Sequence, residues 1–152
     1  MWVGLSMGRL GLRFHVLLPV VAAAFLLLPG DLWLRYLLLL LTLLVHETAH
    51  ALAALSLGLG RAVVSMWPFF GRADVETFGD RRTALVALSA PAVNLACAGA
   101  LFIAGGRLTL ALGAAPLLDF TFTAHLLMGL VNLVPIPPID GGRALVALRN
   151  RV

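Results

Sequence analysis

The residues of this chain with the most chemistry to offer fall in one run, His46-Glu47-Thr48-Ala49-His50. On an α-helix, side chains four apart lie one above the other on a single face, so His46 and His50 can hold one metal ion between them. Glu47 stands beside that face, where a carboxylate can take a proton from water at the metal. A hydrolytic zinc site uses three protein ligands and keeps its fourth position open. The remaining candidates for the third ligand are His15, Asp119, His125 and Asp140. Asp140 follows Asn132-Leu133-Val134-Pro135-Ile136-Pro137-Pro138-Ile139, and three prolines and two glycines within residues 135–142 forbid a continuous helix there. The plainer use of His46, Glu47 and His50 is to satisfy one another by hydrogen bonds.

The elements that must position these residues are those of a membrane protein. Of the 152 residues 61% are hydrophobic and 12% charged, about half the charged share of an ordinary soluble domain. That balance excludes a water-soluble globular protein, a disordered chain and a nucleic-acid binder with a broad basic face. The net charge of +4 comes entirely from arginines, which sit singly or in one pair at the ends of apolar stretches. Cys97 is the single cysteine, so no internal disulfide forms.

An apolar helix crosses the hydrocarbon core with about 20 residues. The sequence predicts an all-α polytopic membrane protein forming one core over 1–152, with about four transmembrane helices at 10–28, 32–57, 83–104 and 116–133. A short membrane-associated β-hairpin is expected over 61–80, and the last helix breaks at its prolines over 134–142. Glycines close two of the spans, Gly58 and Gly60 the second, Gly105-Gly106 the third. With the N-terminus inside, Arg9, Arg13, Arg61, Arg72, Arg81, Arg82, Arg143, Arg149 and Arg151 are cytoplasmic, and Arg35 and Arg107 lie outside. The second and fourth spans then run in the same direction, and Asp140 arrives at the depth of His46 and His50. Ionisable groups within a span cost several kcal/mol, which makes each a functional candidate. Broken backbone at membrane depth is tolerated only where protein buries it or a wet cavity borders it. His15, His125 and Asp119 are better explained by packing, capping or the membrane interface.

HETAH in a membrane helix, followed by NLVPIPPIDGGR in a later one, resembles the site-2 protease family of intramembrane zinc metalloproteases. WPFFGRADVETFGDRR and SAPAVNL are similar to the hairpin and third-helix motifs of the subgroup typified by the sporulation pro-sigma-factor processing protease. The resemblance extends over roughly Leu32 to Arg143. It implies one Zn2+ held by His46, His50 and Asp140, Glu47 as catalytic base, and Asn94 and Asn132 lining the site near the substrate. Two motifs depart from the family pattern: Ala90-Pro91 stands for its usual Gly-Pro, and Pro68-Phe69-Phe70-Gly71 for Pro-Phe-Gly-Gly. No PDZ or CBS domain is expected, which leaves a minimal catalytic core.

The function expected is hydrolysis of a peptide bond in or near a transmembrane segment of a membrane-bound protein, inside the lipid bilayer. The partners expected are that substrate and an unidentified regulatory membrane protein, with no nucleic acid. The location expected is the inner membrane of a bacterium or archaeon, with both termini cytoplasmic. A membrane metal-ion carrier is the rival, but transport needs ligands along a path from side to side, and here they gather at one depth. A non-catalytic membrane-binding relative is the third reading, against which the intact Glu47 counts.

Overall fold

The computed structural model describes residues 1–76, 81–112 and 115–149, the side chains of 106–112 excepted. The hairpin's expected continuation over 77–80, the side chain of Arg107 and all of Arg151 lie outside the described residues. Nine elements follow one another: β1 (Trp2–Met7), β2 (Leu10–His15), α1 (Leu17–Leu26), α2 (Leu32–Ser56), β3 (Ala62–Met66), β4 (Gly71–Val75), α3 (Arg81–Leu112), α4 (Ala115–Asn132) and α5 (Asp140–Arg149).

The expected first span is not a helix through its length. Leu10-Gly11-Leu12-Arg13-Phe14-His15 alternates with period two and forms a strand. Leu10, Leu12 and Phe14 pack against the core between α2 and β3, while Arg13 bonds Ser65 and Asp74. The helix that follows, α1, has 10 residues and reaches about 15 Å, half of a hydrocarbon core. Among the described residues two helices are long and apolar enough to cross a membrane, Leu32–Ser56 and Arg81–Gly105. The all-α expectation of about four spans is therefore corrected to a mostly helical chain with two candidate membrane helices and a four-stranded mixed sheet among the described residues.

The sheet order is β1-β2-β3-β4, with β2 and β3 parallel and the outer pairs antiparallel. Leu10 faces Ala62 and Phe14 faces Met66 in the parallel pair. The β3–β4 hairpin does not extend beyond the end of α2; it folds back along it. Ala62, Val64 and Met66 bury against Ala51, Leu43, Leu44 and Leu55. At the tip, the Tyr36 hydroxyl donates to the Pro68 carbonyl at 2.9 Å. This fold-back carries β4 past the middle of α2, where Glu47 lies.

Gly58 and Gly60 take positive φ just after α2, as helix-terminating glycines do. Gly105-Gly106 does not end α3, which continues to Leu112. A helical glycine costs about 1 kcal/mol, and the seam with α4 offsets it: Phe102 meets Phe122 at 6.2 Å between ring centres. Farther along that seam Gly129 packs on Leu95 and the Pro91 carbonyl. Ala84, Ala87, Ala144 and Ala147 join α3 to α5, small side chains allowing close helix approach.

Candidate metal centre and its cleft

The period of α2 places His46 and His50 on one face, both buried. Asp140, the first residue of α5, meets them there. Its Oδ2 lies 3.2 Å from His46 Nε2 and 3.1 Å from His50 Nε2. One donor atom from each residue falls within 4.8 Å of the others, and two imidazoles with one carboxylate are the chemistry of a hydrolytic zinc site. The residues present fit the ion.

The broken segment brings Asp140 to this point by a succession of tight turns, with Ile136 N–H donating to Val134 and Ile139 N–H to Ile136. The paired glycines then press the start of α5 onto that segment. A Cβ at Gly141 would overlap the carbonyl of Leu133, and one at Gly142 the Ile136–Pro137 peptide. Burial works against ionisation of the Asp140 carboxyl, but hydrogen bonds from His46 and His50 hold it well below the usual carboxylate range.

Behind the ligands lies a second set of contacts. His50 Nδ1 donates to the Val86 carbonyl at 2.8 Å, which also receives the Ser89 hydroxyl at 2.7 Å. Pro91, inside α3, removes the N–H that would bond Ala87, next to the carbonyl that receives His50. The Asn94 amide, fully buried, lies 3.2 Å from His46 Nδ1. A histidine that binds metal through Nε2 carries its proton on Nδ1 and needs an acceptor there. Turning the amide over, so that Oδ1 takes the place of the Nδ2 that lies 3.2 Å from His46 Nδ1, supplies that acceptor and gives a partner to Asn94 Oδ1, a buried atom otherwise without one.

In front of the ligands opens a cleft of about 760 Å3, bordered by Glu47, β4, Asn132, Pro138 and Arg143. Gly71 is required beside Glu47, because a Cβ there would stand 2.5 Å from Glu47 Cγ. The Ala73 backbone N–H is a hydrogen-bond partner of the Glu47 carboxylate. Trp67 N–H donates to the Phe70 carbonyl at the hairpin turn. The antiparallel alternation then directs the N–H and C=O of Gly71, Ala73 and Val75 away from β3. Because β4 is the sheet's edge, they border the cleft unpaired by any strand among the described residues.

The structure thus gathers His46, Glu47, His50, Asp140 and Asn132 around one cleft and puts Asn94 behind His46. The other candidates stay apart: His15 accepts a hydrogen bond from Leu17 N–H beside Trp2, His125 is buried in α4 and Asp119 is exposed. Sequence reasoning missed the Val86 carbonyl, the Ala73 N–H and Gly71, since backbone groups and a single strand glycine leave no motif. It also missed Arg143, whose position three residues after Asp140 on a helix was a usable signal.

No family model matches the chain. It is 36% identical over 116 residues to Rip3 of Mycobacterium tuberculosis, provisionally named a zinc metalloprotease, in an alignment spanning 70% of this chain and 28% of Rip3. It is 24% identical over 144 residues to the zinc metalloprotease MJ0392 of Methanocaldococcus jannaschii, spanning 94% of this chain and 42% of that one. The structure is similar to that of the site-2 protease from the same archaeon, with TM-score 0.72 and 22% identity, covering 95% of this chain and 70% of that one. The fold is that of a site-2 protease. The chain is similar in sequence to zinc metalloproteases over at least 70% of its own length, and it spans about three-tenths of the length of the first curated relatives it matches.

Proposed function

We propose that this chain is an intramembrane zinc endopeptidase acting on a peptide bond in or near a transmembrane segment of a membrane-bound protein. One observation carries the reading: the three candidate ligands meet where Glu47 and the open edge of β4 face the same cleft. Bound by His46, His50 and Asp140, zinc supplies a Lewis acid that polarises a carbonyl and acidifies water. Glu47 is the general base, taking the water's proton and returning it to the leaving amine. Its hydrogen bond from Ala73 and the glycine at 71 set where the carboxylate stands. The outward N–H and C=O groups of Gly71 and Val75, with the C=O of Ala73, pair with an unwound, extended stretch of substrate as an added strand. Asn132 has one amide hydrogen on the Met128 carbonyl at 2.9 Å and keeps its oxygen for that stretch. Asn94 orients His46 from behind. Both termini and the hairpin's base face the cytoplasm, as the arginine distribution supports. The hairpin and third-helix motifs favour the sporulation-type subgroup.

The test is cleavage of single-span membrane peptides carrying a fluorophore and quencher on either side of the segment, by the purified protein in liposomes. Zinc-dependent cleavage lost in Glu47→Gln supports the reading. Cleavage indifferent to zinc or to that substitution contradicts it.

A further inference from the structure

The two oxygens of Asp140 are held differently. Oδ2 faces both imidazoles at 3.2 and 3.1 Å, while Oδ1 accepts a hydrogen bond from Arg143 Nη1 at 3.3 Å. The carboxylate is almost fully enclosed, at 8% exposure, whereas the Arg143 side chain is 41% exposed at the cleft. Arg143 lies three residues after Asp140 in the first turn of α5, so the two side chains share one helical face. The Arg143 backbone N–H donates to Ile139, inside the broken segment. This arginine is thereby tied to the piece of chain that delivers the ligand.

A carboxylate can bind a metal through one oxygen or through both. With both, it would take the position that a hydrolytic zinc site must keep open for water. A cation on Oδ1 opposes that swing, because turning Oδ1 toward the ion breaks a charge-assisted hydrogen bond. We propose that Arg143 is the positioning residue that keeps Asp140 a one-oxygen ligand, and so keeps the water position open. The inference rests on His46, His50 and Asp140 forming the metal site. It concerns neither the base nor the substrate.

The experiment measures metal affinity and coordination directly, on the purified protein with Arg143→Gln, Arg143→Lys and, at the far end of α5, Arg149→Gln as a charge control. Zinc affinity is read by competition with a chelating dye, and coordination by the visible absorption of the cobalt-loaded protein. Loss of a group supporting a metal ligand commonly costs about 10–100-fold in affinity, and that loss is expected for Arg143→Gln. Arg143→Lys should recover part of it, and Arg149→Gln should show none. The cobalt bands should weaken in Arg143→Gln, since a second carboxylate oxygen raises the coordination number and four-coordinate cobalt absorbs most strongly. Unchanged affinity with an unchanged cobalt spectrum in Arg143→Gln overturns the proposal and leaves the metal site standing. A wild-type protein that takes up neither metal overturns both.

Discussion

Gly71→Ala separates the position of the proposed base, Glu47, from the binding of the metal. In the structure a Cβ at this strand position stands 2.5 Å from Glu47 Cγ and 3.1 Å from Met66 Sδ. Glu47 Cγ is close to the α2 backbone, and Met66 is buried in the core under the sheet, so neither moves cheaply. Restoring ordinary contact displaces the carboxylate by about 1 Å, and a misplacement of that size can cost about 100-fold in rate. At 1.36 kcal/mol per factor of ten, that is about 2.7 kcal/mol of transition-state stabilisation. The three atoms nearest the added methyl belong to Glu47 and Met66, none of them to His46, His50 or Asp140. The assay is therefore paired: kcat and KM on a quenched membrane peptide in liposomes, and zinc affinity by dye competition on the same preparation. The expected result is a fall in kcat with metal affinity held. Full activity in Gly71→Ala would refute the reasoning about Glu47, and equal losses of metal and activity would show that the sheet, not the base, had been disturbed.

Glu47→Gln keeps size and removes the proton acceptor, so zinc content should stay at the wild-type level while cleavage falls by about 10²–10⁴-fold; metal analysis beside the peptide assay checks both halves. Asn94→Ala should weaken zinc binding by about 10–100-fold, as loss of a histidine's orienting partner does. Asn94→Asp, which retains an oxygen acceptor for His46 Nδ1, should bind zinc much more tightly than the alanine variant. Equal affinities for the two would show that the amide at 94 has no part in holding His46.

The site was far more legible in the sequence than the fold around it. His46, Glu47 and His50 announce themselves by helical spacing in a leucine-rich run, and Asp140 by the prolines and glycines that no helix would accept. Both signals are local. The N-terminal stretch misled because two patterns overlap there: the alternation of Leu10, Leu12 and Phe14 is strand-like, but it adjoins Leu17–Leu26, so the apolar window reads as one span. What decides between them is the parallel pairing of β2 with β3, a contact between residues about fifty apart that no local pattern carries. The same limit hid the fold-back of the hairpin along α2, which depends on Tyr36 meeting Pro68. Gly105-Gly106 misled for the opposite reason: the local stop signal was real, and packing of α3 against α4 overrode it. Asn94 was singled out through its motif as lining the site near the substrate, whereas its contact with His46 Nδ1 follows from the crossing of α2 and α3.

The central claim is that two imidazoles of α2 and one carboxylate of α5 hold a single zinc ion. X-ray absorption at the zinc edge of the purified, metal-loaded protein tests it most directly. The account predicts an inner sphere of nitrogen and oxygen donors only, at about 2.0–2.2 Å, with the outer scattering of two imidazoles, and one oxygen donor lost in Asp140→Ala. A sulfur donor from Cys97, a single imidazole, or a spectrum unmoved by Asp140→Ala would contradict it.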